Sequence, residues 1–550
     1  MLVKGFLLAF IIIASYGDVF AQQNAGSSVN NGIERPKLVV GIVVDQMRWD
    51  YLYRYYDKLS EGGFKRLLSK GYSFENTMLP YTPAVTGAGH ACLYTGSVPA
   101  VHGITGNEWI ERSTGEYMYC AQDKTVQTVG SFSAQGQMSP RNMLTTTIGD
   151  ELRLATNFKS RVFGIALKDR GSILPAGHSA NAAYWFDDST GNWITSSYYM
   201  TALPQWVQQY NGEKKPDSYM RRPWTLMNSI AGYHQSTADD KPYERLFPGE
   251  NKPVFPHNFS SAGGRNYHWF RYSPYGNSFT LDFAEQLIQK EKLGESGQTD
   301  MLCISLSSSD YIGHRFGPQS QEAQDSYLRL DKDLEKLFIM LDNSIGQGKY
   351  VLFLSADHGA PHTPGFMKEA KLPGGTLSGY TLLGEMNKVL SEKFKVSGLL
   401  QRYFEYQFVF DKRKMESAGI NEKDAHNFLV SRLMERDEVV NAFSYLNFDK
   451  VILPSFLKER YINGYYPKRS GDVQFILKSQ YTDYLSTGTD HGSWYPYDSH
   501  IPLLFYGWGI KPGKTHRETH MTDVAPTLAA MLRIQMPSGS VGKILSEVIE

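Results

Sequence analysis

Four short apolar runs constrain this chain more than anything else in it. They are residues 37–44 (KLVVGIVV), 161–167 (RVFGIAL), 300–307 (DMLCISLS) and 350–355 (YVLFLS). Their Val and Ile content and unbroken apolarity suit strands of a parallel sheet covered on both faces. Helical patterns fall between or beside them, over 63–70, 83–94, 279–292 and 322–341. A late strand is expected over 501–505. A last helix is expected over 521–532, capped by Thr522 or Asp523, with Pro526 in its first turn. The alternation predicts a doubly wound α/β core with a mostly parallel central sheet flanked by helices.

Between those pieces the character of the sequence changes. From about 171 to 278 aromatics, Gly, Pro and Asn dominate and periodicity is weak. From about 361 to 487 short helix-like and strand-like stretches alternate. Both read as cap-like insertions into one catalytic domain over 37–550. The first residues carry Lys4, an apolar run and a Val-Phe-Ala end at Ala21. This predicts a cleaved export signal over 1–21, then a Gly/Ser/Asn-rich linker over 22–36. No later segment is long and apolar enough to span a membrane. The expected location is the periplasm or the medium.

Charge excludes some partners. Lys and Arg number 56, as do Asp and Glu, so no global field draws the chain to nucleic acid. Three cysteines (Cys92, Cys120 and Cys303) form neither a disulfide framework nor a C-x-x-C motif. Any metal must be held by Asp and His.

The chemistry-bearing residues cluster at the ends of the apolar runs. Asp45 closes the first, Asp310 and His314 follow the third, and Asp357 and His358 follow the fourth. His491 lies in Gly-Thr-Asp-His-Gly. Open α/β sheets gather their ligands at the carboxyl ends of the strands. These six residues suffice for two divalent ions, and the imidazoles favour a borderline metal over Mg²⁺ or Ca²⁺. Thr86 begins a helix pattern in Val-Thr-Gly-Ala-Gly-His, where free N–H groups and the helix dipole favour an alkoxide or an anion. Lys168 and Arg170 flank Asp169 after the second run. On an extended segment both would face one pocket, where a fork and a point charge suit a doubly charged phosphoryl group. Asn107 is a neutral donor in a Gly-rich loop.

Those residues and the segments around them resemble the alkaline phosphatase superfamily. The likeness is nearest to its type I phosphodiesterase/nucleotide pyrophosphatase group and the phosphate-irrepressible, PafA-type branch. VVGIVVDQMRWDYLYRYY, GSVPAVHGITGNEW, SPRNMLTTTIGDEL, LKDRGSILPAGH, FLSADHGA, YDSHIPLLFYGWGIK and HMTDVAPTLAAML carry the resemblance. It implies two Zn²⁺ ions per chain, one on Asp310, His314 and His491. The other would sit on Asp45, Asp357 and His358, with Thr86 in reach. It further implies Thr86 as nucleophile with a phosphothreonine intermediate, and Asn107, Lys168 and Arg170 as the phosphoryl grip. The implied activity is hydrolysis of small-molecule phosphate monoesters by a monomer. A phosphodiesterase or nucleotide pyrophosphatase on the same scaffold is the alternative. An exported, non-catalytic binding protein is the alternative of another class.

Overall fold

The computed structural model describes residues 34–259, 267–483 and 486–549. The expected leader over 1–21 and most of the expected linker over 22–36 lie outside the described residues. The longer strands are β1 (Leu38–Val44), β2 (Tyr72–Phe74), β3 (Val162–Ala166), β4 (Ala182–Asp187), β5 (Asn192–Ser196), β6 (Asp300–Leu306), β7 (Tyr350–Ser355), β8 (Leu400–Phe404), β9 (Gln407–Phe410), β10 (Val439–Ser444), β11 (Val473–Leu477) and β12 (Leu503–Gly507). The main helices are α1 (Phe64–Lys70), α2 (Thr86–Thr95), α3 (Asp169–Ala176), α4 (Tyr275–Lys290), α5 (Ser308–Phe316), α6 (Gln321–Leu341), α7 (Gly379–Phe394), α8 (Glu422–Met434) and α9 (Val524–Leu532).

All four apolar runs become neighbouring strands of one ten-stranded sheet. β1 lies parallel to β6 on one side and to β7 on the other. β3 continues parallel beyond β6, and β4 beyond β3. Every residue of β1, β3, β6 and β7 is buried, as their unbroken apolarity requires. Because β6 and β7 leave β1 on opposite sides, the loops at their carboxyl ends diverge and open a crevice there.

The flanks depart from the sequence reading in two places. The late strand runs antiparallel to β7 and starts at Leu503 rather than 501. Pro502 has no N–H to give a ladder and divides it from His500–Ile501, which pairs with Thr77–Met78 instead. The insertion expected over 171–278 begins too early. Its first part supplies α3 and the strands β4 and β5, which extend the central sheet. Ala-Ala-Tyr-Trp-Phe-Asp and Asn-Trp-Ile-Thr-Ser are strands built on aromatics, which suit a pleated buried surface as well as Val and Ile do. The second insertion forms a four-stranded antiparallel sheet in the order β8-β9-β11-β10. Leu382, Leu390, Phe408, Leu429 and Phe475 give it an apolar core of its own.

The remainder of the first insertion is pinned to α6 by a buried histidine. His257 Nδ1 lies 2.9 Å from Glu250 Oε1, and its Nε2 lies 3.0 Å from Glu322 Oε1. Burial opposes a charge on His257, but the two carboxylates outweigh it and raise its pKa to about 9. A histidine raised in this way adds stability that is whole below about pH 6.5. That contribution is lost as pH rises through about 9. Thermal unfolding between pH 6.5 and 9.5 should therefore show a falling melting temperature. A His257→Gln variant should be less stable at pH 6.5 and show a shallower decline. Equal slopes in the two proteins would contradict the charged bridge.

Candidate active site

Three strand ends and one helix start build the site. Asp45 follows β1 directly and its N–H donates to the Leu306 carbonyl at the end of β6. Asp310 and His314 sit one turn apart on α5, so both face the same crevice. Asp357 and His358 follow β7 after Ala356. His491 arrives from the segment that returns from the second insertion. Its Nδ1 bonds the Ala84 carbonyl at 2.7 Å, just ahead of α2. Thr86 is the first residue of α2, and the extended backbone of Val85 precedes it. Gly89 lets α2 lie against Asp357, because a Cβ there would come within 2.6 Å of the Asp357 carbonyl oxygen.

The three histidines are oriented alike. His314 Nδ1 bonds the Thr489 carbonyl at 2.9 Å, and His358 Nδ1 bonds the Gly359 carbonyl at 3.0 Å. His491 makes its bond to Ala84. With each Nδ1 paired to a backbone carbonyl, each Nε2 faces the carboxylates, the orientation in which ligating histidines are usually held. His314 Nε2 lies 3.2 Å and His491 Nε2 3.7 Å from Asp310 Oδ1. His358 Nε2 lies 3.7 Å from Asp45 Oδ1 and 3.4 Å from Asp357 Oδ2.

The six expected ligands lie near one another, but only one of the two expected triads, Asp45 with Asp357 and His358, recurs as a compact group. Donor atoms of Asp45, Asp357 and His358 lie within 4.8 Å of one another, as do those of Asp310, His358 and His491. A third set joins His314 and His491 to Asp490, which the sequence reading passed over. The two histidine rings His358 and His491 stack at 3.6 Å between centroids, so the groups form one continuous constellation.

The residues fit divalent metal. Asp45 Oδ1, Asp357 Oδ2 and His358 Nε2 are buried with no hydrogen-bond partner among the described residues, a costly state for polar atoms without a cation. Burial and the charge of Asp357 push Asp45 well above the usual carboxylate range. Burial lowers His358, and burial with the neighbouring imidazoles lowers His491 further, so both stay neutral and able to ligate. Burial would raise Asp310, but His314 and Lys168 outweigh it and hold it well below its ordinary value.

Lys168 lies between the two ligand groups. Its ammonium is 2.6 Å from Asp310 Oδ2, 2.7 Å from Asp45 Oδ2 and 3.3 Å from Thr86 Oγ1. Burial works against the charge, yet Asp310 and Asp45 raise its pKa above the ordinary lysine value. The expected extended alternation of Lys168 and Arg170 is not what forms. Lys168 is extended, but α3 begins at Asp169, so Arg170 lies in the first helical turn. Both still line one cavity of about 190 Å³ with Thr86, Asn107, His314 and His491. Arg170 donates to the Tyr119 hydroxyl at 3.1 Å, and that hydroxyl donates to Asp169 Oδ1 at 2.5 Å. Asn107 Oδ1 accepts the Gly87 N–H at 2.9 Å, which leaves its NH₂ as the free donor.

Several supporting residues escaped the sequence reading. Gln46 has a left-handed backbone, with φ of 63°. Its N–H donates to Asp357 Oδ1 at 3.1 Å and its amide to Asp310 Oδ1 at 2.8 Å, so one residue ties both ligand groups. His90 bonds Ser305 Oγ at 2.8 Å and lies 3.3 Å from Asp357 Oδ2. Glu405 and Tyr406 enter the same cavity from the second insertion. Asp490 carries a sequence signal of its own, because Asp-His-Gly occurs twice, at Asp357 and at Asp490. The others are visible only once the fold brings distant segments together.

The fold and site define a class, a doubly wound α/β scaffold with clustered Asp and His side chains at its strand ends and a threonine at a helix start. The type I phosphodiesterase/nucleotide pyrophosphatase family profile matches residues 39–494, and the chain belongs to that family. It is 50% identical over 518 residues to alkaline phosphatase PhoV of Synechococcus elongatus, covering 94% of each chain. It is 49% identical over 523 residues to a Myroides odoratus protein named calcium-transporting ATPase, covering 94% of this chain and 95% of that one. The crystal structure of alkaline phosphatase PafA is similar at a TM-score of 0.93 and 46% identity, covering 94% of this chain and 100% of that one. Among the described residues no helix is long and apolar enough to cross a membrane.

Proposed function

We propose that this protein is an exported alkaline phosphatase that hydrolyses small-molecule phosphate monoesters through a phosphothreonine intermediate. The observation that carries the reading is one cavity shared by a helix-start hydroxyl, two cations, an amide donor and three of the ligands, Asp310, His314 and His491, with Asp45, Asp357 and His358 grouped beside it. Similarity to two proteins named alkaline phosphatase supports it. The terminal phosphoryl of ATP is also a dianionic group, so ATP hydrolysis by the Myroides relative would fall within the same chemistry. We further propose that the chain acts as a monomer in the periplasm or medium.

Asp45, Asp357 and His358 would hold one zinc ion, and Asp310, His314 and His491 the other. When bound, the ions would supply Lewis-acid charge that lowers a hydroxyl pKa and offsets phosphoryl charge. Thr86 Oγ, at the positive end of α2, attacks phosphorus in line with the departing ester oxygen. The new bond is Thr86 Oγ–P, the ester O–P bond breaks, and the Thr86 proton ends on the released alcohol. Water then attacks the phosphothreonine, restoring the hydroxyl and releasing inorganic phosphate. Lys168 and Arg170 meet the two charges on the outer oxygens, and Asn107 NH₂ donates to one of them. A diester carries one charge there, so two cations, the buried Lys168 and the part-buried Arg170, favour the monoester over the diesterase alternative.

Purified mature protein should release phosphate from an aryl phosphate. Stripping metal with a chelator should remove activity, and zinc should restore it where magnesium does not. Full turnover by metal-free protein would refute the metal assignment. No phosphate release from zinc-loaded protein would favour the binding-protein alternative.

A further inference from the structure

We infer that Glu405, at the tip of a hairpin in the second insertion, is a positioning residue for the phosphoryl grip and acts through Asn107. β8 and β9 pair antiparallel with Phe404 opposite Gln407, which leaves a two-residue turn of Glu405 and Tyr406. Both have left-handed backbones, with φ of 45° and 66°. Such turns are normally filled by Asn and Gly. A charged and a bulky aromatic residue are strained in these conformations. The fold tolerates that strain and aims both side chains into the cavity of Thr86 and Arg170.

The tip is held rigidly. The Tyr406 N–H donates to the Tyr403 hydroxyl at 3.2 Å, and the Tyr406 carbonyl accepts from Gln474 Nε2 and Phe475 N, each at 3.0 Å. Tyr403 packs among Phe408 and Phe475 of the insertion's core. From that base Glu405 Oε1 accepts the Asn107 N–H at 3.2 Å. The other carboxylate oxygen lies against Gly106, where a Cβ would meet it unless the carboxylate moved. Asn107 is thus gripped twice, by Glu405 at its backbone and by Gly87 at its amide oxygen. What remains is its NH₂, aimed by these two bonds. A carboxyl oxygen accepts in either protonation state, so the role does not depend on the ionisation of Glu405.

This inference rests on the phosphatase reading, so wild-type turnover of an aryl phosphate is measured first. Its absence would refute that reading rather than this one. Glu405→Gly removes the acceptor and also relieves the backbone strain. It is expected to keep or raise the melting temperature while lowering kcat/KM by about 10- to 100-fold. Glu405→Gln keeps a carbonyl acceptor and should recover most of that loss. In an Asn107→Ala background Glu405→Gly should cost less than about threefold more, because residues acting as a unit are not additive. Unchanged kcat/KM in Glu405→Gly, a Gln variant as impaired as Gly, or additive losses with Asn107→Ala would each overturn the assignment.

Discussion

Thr86→Ala is expected to lower kcat for an aryl phosphate by about 10⁴-fold or more, the scale on which loss of a nucleophile is felt. Thr86 is 1% exposed and begins α2, so the change removes a hydroxyl and a methyl without altering the helix. The ligand set and the cations stay in place, and phosphate should still bind. Thr86→Ser keeps the hydroxyl and should retain far more activity than the alanine variant. Steady-state rates with metal content measured on the same samples decide the matter. A zinc-loaded alanine variant within tenfold of wild type would remove Thr86 from the role of nucleophile.

Loss of the cations is expected to act on monoesters in particular. Arg170→Ala should lower kcat/KM for an aryl monoester by about 10²- to 10³-fold, as removal of one charged donor to the transition state does. The corresponding bis-aryl diester, with one charge fewer, should lose much less. Lys168→Ala should show the same asymmetry with an added effect. The ammonium also bridges Asp45 and Asp310, so without it the two carboxylates face each other without that compensation in the absence of metal. Its metal-free form should melt at a lower temperature, whereas that of Arg170→Ala should not. Equal fractional losses on monoester and diester would show that the pair does not discriminate between them.

Much of this site was legible because its ligands attach to the strongest signal in the chain. Asp45, Asp310 and Asp357 each follow a run whose apolarity alone dictates a buried parallel strand, and strand ends converge at one edge of a sheet. Thr86 was legible as a hydroxyl near the start of a helix pattern over 83–94, although Gly87 and Gly89 weaken that pattern and α2 begins at Thr86 itself. Arg170 lay in the right cavity for a different local reason than expected, since α3 begins one residue earlier. The strands β4 and β5 were hidden by their aromatics, which read as irregular sequence when Val and Ile are the guide. Gln46, His90, Tyr119 and Glu405 had no legible role, because each acts on a residue that only tertiary packing brings near. Glu405 lies 298 positions from the Asn107 whose N–H it accepts.

The most direct test of the central claim compares kcat/KM of the zinc-loaded wild-type protein on an aryl phosphate monoester and on the matching bis-aryl diester at one pH. Two cations in a cavity of about 190 Å³ predict a ratio that strongly favours the monoester. A higher kcat/KM on the diester would contradict the account and make the protein a phosphodiesterase.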